Sequence, residues 1–367
     1  MFFHQRISER LFRRFQEKNP GLNALDESNL KAIQRLYWFS ICTSGIIGAF
    51  IVLSYYLPLY LFERFFDGYV LNLTLFGTEM TVFWVKELDN MILTFFELYV
   101  LGVLNIYVVN KLAWLLGFPN KSNAGFNLHR ENLKLISLDK KQKKELELGL
   151  NPFMGMSKFG LYAYLLIVRF KAMLSNVILK LVLQRFGSRF LLKVFIDLAA
   201  MPIYAFWNGF AAAKLFNRAR YYMLSTELTE LVAQAAEASD NPLVAKELKG
   251  LLNYIVVLKR DFSEINYFYS TRLLEDVNHQ EQVADRLSTD ILDELTSLDK
   301  ASVDLITLIF TTGIILDGNI SRRERLKLKE LATALKDNQN ILNRVNDYLN
   351  AYKKGRGVQF LIAEGFI

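Results

Sequence analysis

Six side chains in this 367-residue chain pair a chemically active type with a placement that needs an explanation: Glu97, Arg169, Lys180, Asp197, Asp317 and Glu324. The first four stand in apolar stretches. An unpaired ion at the centre of a bilayer costs roughly 3 kcal/mol or more, so such residues pair with one another or line a path for ions. Asp317 and Glu324 bracket the run Asp317-Gly318-Asn319-Ile320-Ser321-Arg322-Arg323-Glu324. Its spelling matches the second half of a calcium-binding loop. Counting back, loop positions 1 and 3 fall on Gly313 and Ile315, which have no side-chain oxygen, and this argues against an EF-hand. The same residues also serve structure alone: Asp317-Gly318 forms a turn, and Ser321 with Glu324 forms a helix-capping box. Metal binding and pure structure both remain open for this turn.

Other chemistry is scarce. One cysteine, Cys42, excludes an internal disulfide and a cysteine-based zinc site, and its place in an apolar stretch predicts a packing role. Three histidines far apart (His4, His129, His279) argue against a histidine-built metal centre. No phosphate-binding loop, dinucleotide fingerprint, zinc-protease or nucleophile-elbow string occurs, so no enzymatic activity is expected. The composition, 52% hydrophobic and 14% aromatic, excludes a disordered chain.

Leu36 to Phe62 holds 27 residues without a charge, more than the ~20 a helix needs to cross the hydrocarbon core. Tyr37 and Trp38 at one end and Tyr55, Tyr56 and Tyr60 at the other match interfacial rings. A second apolar run, Met91 to Phe118, is broken only by Glu97 and Lys111. Between them, Leu71, Leu73 and Leu75 alternate with Asn72 and Thr74, Gly77-Thr78-Glu79 supply a turn, and Thr81 to Val85 is β-branched and aromatic. This predicts a β-hairpin inserted at 69–86 within a transmembrane hairpin at 36–118.

Basic residues set the orientation. Residues 1–35 carry seven Lys and Arg, the loop 63–90 two, and the segment 119–157 seven. The positive-inside rule then puts the N-terminus and the basic loop 119–157 in the cytoplasm and the hairpin outside. No signal peptide is expected, since 1–35 is polar. Phe3, Ile7, Leu11 and Phe15 recur every four residues against Arg6, Arg10, Arg13 and Arg14. That basic amphipathic face suits either anionic lipid headgroups or packing on the protein itself. No stretch carries a nucleic-acid recognition motif.

Residues 158–224 form a second hydrophobic hairpin, spanning or re-entrant. Arg169, Asn176, Lys180 and Gln184 share a helical stripe, and Asp197 and Pro202 interrupt the window 194–213. Four spans require the buried cations to pair with Glu97 or Asp197, whereas a re-entrant hairpin turns its basic stripe to headgroups. Both alternatives leave the C-terminus cytoplasmic; only three spans would not. Arg185-Phe186-Gly187, Lys193, Met201-Pro202-Ile203-Tyr204-Ala205-Phe206-Trp207-Asn208 and Arg218-Ala219-Arg220 together resemble the hydrophobic hairpin of EcsC-like bacterial proteins. The resemblance implies a peripheral or re-entrant membrane element.

Residues 225–296 read as polar-faced helices, at about 241–260, 263–277 and 281–296. From 297 to 352 an apolar helix, the Asp-Gly-x-Ile-Ser turn and a Leu-rich helix follow one another, and this run resembles the TerB-like helical domain of tellurite-resistance proteins. The resemblance implies divalent-metal binding by acidic residues of the motif, and Asp317 and Glu324 are the two that match. Residues 353–367 are a tail.

The expected architecture is mainly α: a multi-pass helical membrane region with a small extracytoplasmic β-hairpin and a cytoplasmic all-α C-terminal domain. The expected function is that of a non-enzymatic protein of the bacterial inner membrane, acting as scaffold or sensor. Its partners are the bilayer, anionic headgroups and an unidentified protein, with a divalent metal as the one cofactor the resemblance implies. The alternative is a transporter or channel component built on Glu97, Arg169, Lys180 and Asp197.

Overall fold

The computed structural model describes residues 27–75, 78–118, 126–139, 148–154, 156–163, 200–237, 242–260, 263–274, 299–334 and 340–353. The amphipathic segment at 3–15, Arg169, Lys180, Asp197, the helix expected at 281–296 and residues 354–367 lie outside them. The elements are α1 (Glu27–Leu61), α2 (Glu63–Asp67), β1 (Leu71–Leu75), β2 (Thr78–Val82), α3 (Trp84–Leu115), α4 (Phe126–Ser137), α5 (Ala200–Glu237), α6 (Pro242–Lys259), α7 (Glu264–Leu274), α8 (Lys300–Ile315), α9 (Arg322–Ala334) and α10 (Asn340–Lys353). The described chain is predominantly helical. It divides into two compact units, one within 32–112 and 162–216, the other within 27–31, 113–161 and 217–353.

Helix α1 starts at Glu27, well before the uncharged stretch begins. Hydropathy marks where a helix is apolar, while the polar residues ahead of Leu36 continue the same backbone pattern. Pro58 lies inside the last turn of α1, and its carbonyl accepts from the Phe62 amide at 2.8 Å. Strands β1 and β2 pair antiparallel from Leu71 opposite Val82 to Leu75 opposite Thr78. Thr78 and Glu79, expected in the turn, are therefore strand residues, and two residues separate the strands. β-Branched Thr78 suits a pleated ladder better than a tight loop.

Helices α1 and α5 meet at backbone distance. A Cβ on Gly48 would stand 2.8 Å from the Tyr204 carbonyl oxygen and 2.6 Å from Asn208 Nδ2, so only glycine fits. Small residues at such crossings are how helices pack closely where no hydrophobic effect drives them together. Much of the remaining surface of the first unit is apolar and outward. Trp38, Ile46 and Phe50 of α1, Ile92, Phe95 and Leu98 of α3, and Phe206 and Phe210 of α5 are each more than half exposed. Helices α1 and α3 are long and apolar enough to cross a membrane, and only 33% and 17% of their most apolar windows are buried. Cys42, expected to pack, is exposed on α1.

The second unit has an ordinary core. Ile309, Phe310 and Ile314 of α8 are buried together with Leu252 and Ile255 of α6, Leu328 and Leu331 of α9, and Tyr348 of α10. Asp299 caps α8 by accepting from the Ser302 amide. After α8 the chain turns at Gly318, whose φ of +72° belongs to the left-handed region. A Cβ there would also lie 2.4–2.7 Å from the Tyr221 ring. Gly318→Ala combines an unfavourable φ with a clash, each worth about 1–3 kcal/mol. At the lower bound of about 2 kcal/mol in total, the second unit should melt at least roughly 4–8 °C lower. An unchanged thermal midpoint in detergent would contradict the packing described.

Candidate functional site

The acidic turn closes on a lysine. Helix α6 ends in the apolar run Tyr254-Ile255-Val256-Val257-Leu258 followed by Lys259, and Arg260 then takes a left-handed φ of 49° that stops the helix. The Lys259 side chain is only 3% exposed. Its ammonium donates to the Ile314 carbonyl at 2.5 Å and to Asp317 Oδ2 at 2.9 Å. It also stands 3.0 Å from Glu324 Oε1, on a side chain 4% exposed. Three N–H donors thus face three acceptors.

The other carboxylate oxygens are also engaged. Asp317 Oδ1 accepts from the Asn319 amide at 3.0 Å, closing a local turn. Glu324 Oε2 accepts from the Ser321 amide, and Ser321 Oγ accepts from the Glu324 amide at 3.3 Å, which is a reciprocal capping box. Just before the turn, the Leu316 carbonyl accepts from the Tyr352 hydroxyl, at 3.1 Å. The Tyr352 ring stacks on Tyr221 at 5.3 Å, and burial holds its phenol well above the ordinary range. Removing one partner from a buried ion pair of this kind costs about 3–5 kcal/mol, because the other charge stays behind.

This arrangement does not fit the divalent metal that the TerB-like resemblance implies. A calcium ion takes six to eight oxygens, and here both carboxylates are spent on an ammonium and on backbone amides. Among the described residues no group of three or more His, Cys, Asp or Glu stands close enough to hold a metal ion.

A second polar cluster in the same unit escaped the sequence reading. His129 of α4 is 2% exposed, and its Nδ1 lies 2.9 Å from the Tyr222 hydroxyl. Asn132 Nδ2 donates to that hydroxyl at 2.9 Å, leaving the phenolic proton for His129 Nδ1. The imidazole is therefore held neutral, with the Phe268 ring against it at 4.7 Å. Burial lowers its pKa to about 4. Nearby, Arg218 grips the buried Glu264 with two nitrogens and reaches Asp139 at 3.0 Å. Arg272 joins Glu230 at 3.0 Å and Glu237 at 2.7 Å. These pairs tie α5 and its neighbours together.

In the first unit, Glu97 Oε1 accepts from Asn208 Nδ2 at 2.7 Å, joining α3 to α5 beside Gly48. Of the four charges expected in apolar surroundings this is the one within the described residues, and its partner is an amide rather than a cation. Asn208 was legible as the Asn of the EcsC-like run and as a polar residue inside the apolar window 194–213. Lys259 had a comparable signal, a lone charge closing an apolar run, without any indication of its partner.

No protein-family model, curated protein or solved structure matches the chain. The TerB-like and EcsC-like likenesses rest on the residues quoted for them.

Because His129 binds its proton more weakly in the folded state than the ~6.5 of a free imidazole, its contribution to stability is complete above pH 6.5. It is lost progressively as pH falls towards 4. A shift of that size corresponds to about 3 kcal/mol. Thermal midpoints of the full-length chain and of His129→Gln, measured from pH 7 to pH 4, should converge in slope only above pH 6.5, with the variant losing less stability below. Parallel profiles across the whole range would contradict this role.

Proposed function

We propose that this chain is a multi-pass protein of the bacterial cytoplasmic membrane whose second unit is a cytoplasmic interaction module. The observation that carries the reading is the outward apolar surface of the first unit, where α1, α3 and the first half of α5 present bulky aliphatic and aromatic side chains. Soluble monomers rarely expose contiguous apolar patches beyond a few hundred Å². Lipid satisfies such a surface, and the dimensions agree. Trp38 and Tyr60 are separated by 22 residues of one helix, or ~33 Å at 1.5 Å each, against a hydrocarbon core of ~30 Å. The Gly48 crossing and the Glu97–Asn208 bond are the kinds of contact that hold helices together in lipid.

Lys and Arg counts favour the β1–β2 pair outside and 119–157 inside, and an even number of crossings in 158–224, spanning or re-entrant, then keeps 225–367 inside. We assign the second unit a scaffold role rather than an ion-sensing one, because its acidic turn already holds an ammonium.

Two measurements test this. The chain should remain in membranes after alkaline carbonate extraction and leave them only with detergent. On a Cys42→Ser background, a membrane-impermeant maleimide should label Glu63→Cys in intact cells and Lys353→Cys only after permeabilisation. Free solubility, or labelling of Lys353→Cys in intact cells, would overturn the topology. For the scaffold role, protein partners that co-purify with the detergent-solubilised chain should be lost when 225–367 is removed. Recovery of the same set without that segment would refute it.

A further inference from the structure

A ring contact in the first unit brings two cations to the same end of neighbouring helices. Phe39 of α1 meets Tyr107 of α3 edge-on, with ring centroids 6.3 Å apart. Phe39 belongs to the early turns of α1 and Tyr107 to the last turns of α3, so the two helices run antiparallel here. One turn further towards the same end stand Arg35, four residues before Phe39, and Lys111, four after Tyr107. Residues four apart share a helix face, so both cations lie over the Phe39–Tyr107 contact. Arg35 is exposed and Lys111 half-buried. Exposed Lys214 of α5 adds a third positive charge at this end, two residues before Phe216, which packs on the Tyr37 ring at 5.3 Å.

Among the described residues of this unit, no carboxylate stands near these cations. Glu63, Asp67, Glu79, Glu87 and Asp89 belong to the opposite end, and Glu97 is 14 residues before Lys111, or ~21 Å along α3. Beyond Arg35, an apolar stripe runs down α1: Phe39, Cys42, Ile46 and Phe50 recur at three- and four-residue spacing and are all exposed. Their spacing puts them on the side of the helix away from the Gly48 crossing with α5.

We infer that Arg35 and Lys111 form a headgroup site for an acidic phospholipid of the inner leaflet, with an acyl chain lying along the Phe39–Phe50 stripe. This rests on the membrane reading above and names the lipid that the surface selects. A guanidinium offers a planar fork to two phosphate oxygens, and an ammonium offers a point charge to another. Basic sites between helices at the cytoplasmic side are where acidic headgroups bind. Phosphatidylcholine carries the same phosphate but brings its own cation to a place that already holds two. Net charge therefore decides which lipid stays. A free phosphate or an acidic peptide would meet the cations but has nothing to lay along the apolar stripe, whereas a phospholipid matches both.

The test uses the full chain in phosphatidylcholine vesicles, with bimane attached to Cys42 and lipids carrying a doxyl nitroxide on the acyl chain as quenchers. Doxyl-phosphatidylglycerol should reach half-quenching at a mole fraction about fivefold lower than doxyl-phosphatidylcholine. Arg35→Gln/Lys111→Gln should be quenched equally by the two, with its response to doxyl-phosphatidylcholine unchanged, which shows that the variant still inserts. Arg130→Gln/Lys134→Gln removes as much charge from α4 and should keep the preference. Millimolar inorganic phosphate should not compete. The inference fails if wild type shows no preference, if the Arg35/Lys111 variant retains it, if the α4 variant loses it equally, or if inorganic phosphate abolishes it. Equal quenching of wild type by both lipids removes this site alone and leaves the membrane reading standing. Quenching by neither lipid overturns both.

Discussion

Bulky apolar side chains that point outward cannot be left in water, and that constraint governs the first unit. Burying apolar surface is worth roughly 25 cal/mol per Å², so the unit's exposed Trp, Phe, Ile and Leu side chains represent a large unmet driving force. Water-soluble helices meet it by turning one stripe inward. Helices α1 and α3 do not: their apolar residues surround the axis, and most of their apolar length stays uncovered by protein. The helix–helix contacts among the described residues include a glycine crossing and a carboxylate–amide hydrogen bond. Neither requires water to be squeezed out, and both retain their strength in hydrocarbon.

The second unit answers a different constraint, the desolvation of charge. Burying an ammonium or a carboxylate alone is costly, so each buried ion must meet opposite charge and complete its hydrogen bonds. Lys259 with Asp317 and Glu324, and Arg218 with Glu264, meet that condition. His129 meets it the other way, by remaining neutral between a phenol and aromatic rings. The consequence for function is that the acidic turn is a structural joint. Its carboxylates hold a lysine and two backbone amides.

What the sequence made legible was local. The capping box of Ser321 and Glu324 spans four residues and the Asp317-Gly318 turn two, so their chemistry is readable from spelling and is seen in the hydrogen bonds. The apolar lengths of α1 and α3 were readable for the same reason, although their ends were not, since a helix continues past the residues that make it apolar. Partners distant in sequence stayed hidden. Lys259 and Asp317 are 58 residues apart, His129 and Tyr222 93, Glu97 and Asn208 111. No pattern of composition or period encodes which lone charge meets which. The hairpin turn was placed late because glycine was read as its first residue, while the register puts Thr78 and Glu79 in the ladder.

The central claim is that the surface of the first unit faces lipid, and the chain's single cysteine offers a direct probe of it. Cys42 is exposed on α1, five residues past the Tyr37 ring and well short of Tyr55. A nitroxide attached there, in chain reconstituted into liposomes, should relax readily with oxygen and hardly at all with a water-soluble nickel chelate. Strong relaxation by the nickel chelate and weak relaxation by oxygen would put that face in water and contradict the account.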